Sequence, residues 1–173
     1  MNLKWTNRWW MMLILLLAVM MTASACSSGT YRNDVSAQTL TETMIDVLSE
    51  EDGQYYTASG DAYAVYFDAD EAYDTVQDCC IAYHITSINV DQFGVFRVKN
   101  GQSTESVRTM VQKYVDDQVE YLNAFAANYN QDELAKIENA RVEVVGQYVC
   151  FTILTASDEG VAIDALKAAI SKD

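Results

Sequence analysis

The chain has 173 residues, half of them hydrophobic and 21% charged, with a mean hydropathy near zero. That balance suits one globular domain and excludes wholesale disorder, collagen and coiled coil. Charge is the outlier: 11 Lys and Arg face 25 Asp and Glu, a formal net of −14. So acidic a surface repels phosphate backbones, which excludes nucleic acid as a partner.

Met1 to Arg8 carries Lys4 and Arg8 and no acid, and Trp9 to Met21 is an uncharged apolar run. Small residues Thr22-Ala23-Ser24-Ala25 follow, then Cys26. A basic start, a short apolar stretch and a small-residue cleavage box predict a secretory signal peptide over 1–25. The run would span roughly 20 Å as a helix, against about 30 Å of hydrocarbon, so it is too short for a membrane span. Ala23-Ser24-Ala25-Cys26 fits a lipobox, in which Cys26 is diacylated and becomes the mature N-terminus. The same letters fit the Ala-x-Ala rule of ordinary secretion. A thiol at the one position that needs it, and the polar Ser27-Ser28-Gly29-Thr30 behind it, favour lipidation and a tether over 26–37. Two acyl chains suffice for stable attachment to the outer face of the membrane. Removal of residues 1–25 leaves 9 bases against 25 acids, a net of −16.

A single domain is expected over 38–173. Ser36 to Ser49 reads as a helix with Leu40, Met44, Ile45 and Leu48 on one face. Asp61 to Phe67 reads as a further helical segment. Cys79 to Val90, rich in β-branched and aromatic residues, reads as a strand, and Phe93 to Lys99 as a second one after a turn around Asp91. Ser103 is placed to cap a long helix over Thr104 to Asn128, whose apolar stripe is Val107, Met110, Val111, Tyr114, Leu122 and Phe125. A helical turn from Asp132 to Ile137 precedes two strands, Val142 to Val145 and Tyr148 to Thr155, joined through Gly146-Gln147 as a primed two-residue turn. Ser157 is expected to cap a last helix running to Lys172. Hairpins imply antiparallel pairing, so the order ββαββα predicts an α+β two-layer sandwich: about four antiparallel strands, helices on one face, and an N-terminal helical segment.

No G-x-S-x-G, H-E-x-x-H, Walker A or G-x-G-x-x-G motif occurs. Any nucleophile–imidazole pair must use His84, the one histidine. Cys80 on the same strand stands roughly 13 Å from it, beyond hydrogen-bond reach. The domain is therefore expected to be non-catalytic. With Cys26 consumed by lipid, Cys79, Cys80 and Cys150 remain; they are either small core residues or, if their strands adjoin, a Cys79–Cys150 or Cys80–Cys150 bridge. Asp68, Asp70, Asp74 and Asp78 are candidate metal ligands: on a helix the last three would stack at i, i+4 and i+8, and Ca²⁺ would relieve their repulsion. Separately solvated carboxylates explain the run equally well. Eleven tyrosines, several of them among the acids, suit a carbohydrate or peptide site, since each offers area and a polar tip; they are equally ordinary sheet residues.

Asp91-Gln92-Phe93-Gly94-Val95-Phe96-Arg97-Val98-Lys99, the long helix, Tyr129, Ile137-Glu138-Asn139-Ala140-Arg141-Val142 and Gly146-Gln147-Tyr148-Val149 resemble a bacterial lipoprotein family known only as domain-of-unknown-function family 4358. The resemblance runs from about Leu40 to Leu166 and implies a lipid-anchored surface protein. It also hints at cell-envelope polysaccharide work, beside membrane O-acyltransferase systems. It carries no motif of known chemistry and so assigns no catalytic residue. The expected role is a non-catalytic binding module of the cell envelope for a protein or glycan. The alternatives are a calcium-binding protein or an accessory factor for surface-polysaccharide modification.

Overall fold

The computed structural model describes residues 30–48, 54–67, 70–86, 88–129 and 133–172. The expected signal peptide, Cys26 and Asp68 lie outside them. In chain order the elements are α1 (Ala37–Leu48), β1 (Tyr55–Ser59), α2 (Gly60–Phe67), a 3₁₀ turn (Glu71–Thr75), β2 (Val76–His84) and β3 (Gln92–Val98). A second 3₁₀ turn (Gly101–Ser103) leads into α3 (Thr104–Tyr129), followed by α4 (Leu134–Glu138), β4 (Arg141–Val145), β5 (Tyr148–Ile153) and α5 (Ala156–Ile170).

The strands form one antiparallel sheet in the order β1-β2-β3-β5-β4. The α+β class, the antiparallel pairing and, to within one strand, the strand count are as expected, while the placing of the helices differs. A fifth strand, β1, lies on the edge, where a half-exposed Tyr-Tyr-Thr-Ala-Ser segment gives no clean alternation. The helices cover both faces of the sheet. The reason is the composition of the inner strands: β5 is buried at every residue and β2 is buried from Cys79 to Ala82, so each face needs a cover. Leu40 and Met44 of α1 and Leu166 and Ile170 of α5 pack with Cys80, Phe93, Val95 and Cys150 on one side. Val107, Val111 and Tyr114 of α3 pack with Phe67, Ile81, Phe96, Val149 and Phe151 on the other.

Local chemistry sets the boundaries. β2 ends at His84, six residues before the expected limit. There Nδ1 of His84 accepts the Thr86 amide at 3.1 Å and lies 2.8 Å from the Thr86 hydroxyl, turning the chain out of the sheet despite its β-branched residues. Asn100, not Ser103, caps the entry to α3, its Oδ1 accepting from the amides of Gln102 and Ser103. Thr155, not Ser157, caps α5 by accepting the Asp158 amide. Gly146 has a φ of 62°, the left-handed conformation that the first position of a primed hairpin turn requires.

The stretch expected as a tether to Ala37 is docked on the domain from Tyr31 onward. Tyr31 bridges to Ser171, Arg32 donates its amide to Ile170 at 2.8 Å, and the Val35 carbonyl accepts the Tyr148 hydroxyl at 2.9 Å.

Candidate functional site

The long helix α3 lies over β3, β5 and β4. On the outer part of that sheet face, made by β1 and β2, the end where β3 begins carries exposed side chains. Register brings Tyr56, Tyr83 and Gln92 side by side there, on three successive strands. The rings of Tyr56 and Tyr83 are 5.8 Å apart at 41°, and the two residues are 58% and 40% exposed. Gln92 donates from its amide nitrogen to the Tyr114 hydroxyl at 2.7 Å, which ties the end of the row to α3. Tyr66, at the end of α2 and 64% exposed, meets Tyr114 edge-on at 6.1 Å. Between α2 and α3 a cleft of about 330 Å³ runs past Tyr66, Asp70, Lys113, Tyr114 and Asp117. Four of the eleven tyrosines thus share one side of the sheet with an amide, a lysine and two carboxylates. Sequence spacing could not bring Tyr56, Tyr83 and Gln92 together, because strand register joins them.

Behind the row, the connector between β2 and β3 is held by a buried charge cluster that the sequence reading did not single out. Lys136 of α4 is 2.6 Å from Asp91 and 3.1 Å from Glu133, and donates to Asn89 at 3.3 Å. Glu133 accepts the Val90 amide at 2.9 Å, and Asp91 accepts the Tyr55 hydroxyl at 3.2 Å. Burial pushes the Lys136 ammonium down, but Asp91 and Glu133 outweigh it and hold its pKa above the ordinary lysine value. Burial, then the charge of Asp91, raises the Tyr55 phenol well above its usual value. The signal available in sequence was a pair of acids flanking a lone lysine, which ordinarily marks a solvated surface.

Of the candidate metal ligands, the described ones, Asp70, Asp74 and Asp78, form no common metal-binding group. The chain from Glu71 to Thr75 is a 3₁₀ turn and the strand starts at Val76, so Asp70, Asp74 and Asp78 cannot stack on one helix. Asp70 caps the turn by accepting the Ala72 amide at 2.9 Å. Asp74 is exposed, and its carbonyl accepts Lys99 Nζ at 2.7 Å. Asp78 accepts the Ala37 amide with Oδ1 at 2.7 Å and pairs with Arg97 through Oδ2, with Nε at 2.7 Å. Among the described residues no group of three or more His, Cys, Asp or Glu could hold a metal ion. A second cleft, of about 440 Å³, opens beside Asp78 and is lined by Ser36, Ser59, Tyr73, Gln77 and Cys79.

The cysteine question resolves through register. Cys80 pairs with Val95, and Val95 pairs with Cys150, so β3 separates the two cysteines on one face. Two strand spacings put them roughly 9.5 Å apart, beyond the about 7 Å that a disulfide bridges. Cys79 points to the opposite face, and all three cysteines are buried and outside any disulfide. Burial pushes the Cys150 thiol up to about 12 and also raises Cys80, so neither is a ready nucleophile. His84, four residues along β2 from Cys80, meets the Tyr55 ring edge-on with centroids 5.5 Å apart and spends Nδ1 on Thr86.

No curated protein and no solved structure matches the chain. The family model of a domain of unknown function, DUF4358, matches residues 68–154, just over half of the sequence, running from the approach to β2 through the end of β5. The chain belongs to the DUF4358 family.

Proposed function

We propose that this protein is an extracytoplasmic lipoprotein, anchored through diacylated Cys26 to the outer face of the membrane, whose domain is a non-catalytic binding module of the cell envelope. The observation that carries the binding reading is the exposed Tyr56–Tyr83 pair beside Gln92 on one face of the sheet. Stacking faces with phenol and amide tips suit a ligand that is apolar on its faces and polar at its edges. The two rings offer roughly 200 Å² of exposed surface, well below the about 800 Å² per partner of a stable protein interface. The row therefore fits a glycan chain or a short peptide segment better than a broad protein face. The strong negative charge of the domain argues for a neutral or cationic ligand.

The test is capture of envelope material from the membrane and wall fractions by the intact protein, compared with Y56A/Y83A. Retention of a glycan or peptide by the native protein and its loss in the variant is the expected result. Equal retention by both would remove the tyrosine row from the reading. Mass spectrometry of the mature N-terminus tests the anchor independently: a diacylglycerol adduct on Cys26 is expected, and an unmodified N-terminus would replace anchorage with secretion.

A further inference from the structure

The fold fixes where the chain leaves the domain toward Cys26, and this orients the domain on its anchor. Tyr31 bridges to Ser171 at the end of α5, and its side chain is 3.1 Å from the position a Cβ would take on Gly146. Asn33 donates to Gln147 at 3.3 Å. The exit point therefore lies at the β4–β5 hairpin, the end of the sheet where β3 finishes at Val98. The Tyr56–Tyr83–Gln92 row is at the other end, where β3 starts. Seven residues of β3 separate the two ends by about 20 Å.

We infer that the hairpin end is the bilayer-facing end of the domain and that the tyrosine row is presented away from the membrane. This rests on the anchor reading proposed above. From Cys26 to Tyr31 the chain covers at most about 18 Å when extended. To turn the tyrosine end toward the lipid, that segment would have to pass the whole sheet, which it is too short to do.

Charge distribution disfavours the remaining alternative, a domain lying on one of its helical flanks. Of the nine bases that follow Cys26, Arg32, Arg97, Lys99, Arg108 and Lys172 lie at the hairpin end, where Asp34, Asp74, Asp78 and Glu105 offset them. With Glu71 of the adjoining turn added, the described charges of that end balance. The flanks are acidic: Glu42 and Asp46 on α1, and Asp116, Asp117 and Glu120 against Lys113 on α3. An anionic leaflet repels the flanks and tolerates the hairpin end, so the domain stands upright rather than lying on a helical face.

Full-length protein purified from membranes and reconstituted in phosphatidylglycerol vesicles tests this. Single fluorophores are placed at Gln102→Cys, an exposed site at the hairpin end, and at Ile88→Cys, 61% exposed at the other. Nitroxide-labelled headgroups should quench the label at 102 severalfold more than the label at 88. Equal quenching at both sites, or stronger quenching at 88, overturns the orientation while leaving the anchor intact. Failure of the protein to partition with the vesicles overturns the anchor reading, and the orientation falls with it.

Discussion

Lys136 Nζ lies 2.6 Å from Asp91 and 3.1 Å from Glu133, with all three side chains only 11–12% exposed. One ammonium therefore holds two carboxylates that also fix the Val90 amide and the Tyr55 hydroxyl, and so positions the β2–β3 connector beside the tyrosine row. Lys136→Met leaves two like charges buried together. The expected loss is about 3–5 kcal/mol, the usual cost of breaking a buried pair, measured by urea unfolding at neutral pH. Because the folded pKa of Lys136 is raised, its contribution is complete below the ordinary lysine value of 10.5 and is lost only as the pH climbs beyond it. The native protein should accordingly show no loss from this cluster between pH 7 and 9.

The buried thiols give a second expectation. Native protein should react with a maleimide at Cys79, Cys80 and Cys150 only as fast as it unfolds, and all three should react at once in urea. Recovery of a Cys80–Cys150 disulfide from native protein would contradict the register. The linkage sign is also set. The Cys150 pKa is raised from 9.0 to about 12, so the unfolded chain loses this proton first and stability falls as pH rises from 9 toward 12.

Asp78 is where the candidate cation site meets an engaged carboxylate. Its two oxygens hold the Ala37 amide, at the start of α1, and Arg97, on β3, so it ties a helix and two strands together. Asp78→Asn should cost about 1–3 kcal/mol, the penalty for weakening a charged hydrogen-bond set that is half-buried. Millimolar calcium should leave the melting temperature of the native protein unmoved. A rise of several degrees would show that carboxylates outside this arrangement, Asp68 among them, complete a site.

Much of the fold was legible because its determinants are local. The stripe Val107, Met110, Val111 and Tyr114 placed α3, and Gly146 placed the β4–β5 turn. What was not legible depended on long-range contacts. Whether Cys80 could reach Cys150 turned on β3 lying between β2 and β5, which no spacing encodes. The acids at 70, 74 and 78 read as one cluster along the chain, yet a cap and an ion pair divide Asp70 from Asp78. Tyr56, Tyr83 and Gln92 form a row only through sheet register, and Asp91, Glu133 and Lys136 meet only because α4 folds back over the connector. Caps failed by small steps, Asn100 for Ser103 and Thr155 for Ser157, since several capping residues stand at each helix entry.

Two glycines should respond to alanine with opposite signs. A Cβ at Gly94, in the central strand β3, would lie 2.8 Å from Ile81 Cγ1 and 2.8 Å from Phe151 Cε1, both in the core beneath α3. The Cys80 carbonyl at 3.0 Å blocks escape toward β2. Gly94→Ala therefore forces the sheet and the α3 layer apart and should cost about 1–3 kcal/mol. Gly160 lies in α5 with nothing within 4 Å of an added Cβ. There alanine removes chain entropy from the unfolded state and improves helix propensity, for a gain of about 0.5–1 kcal/mol. Thermal melts of the two variants check both signs. A neutral Gly94→Ala would mean that Ile81 and Phe151 repack freely, and the close approach of β3 to its neighbours would then not be the reason for a glycine there.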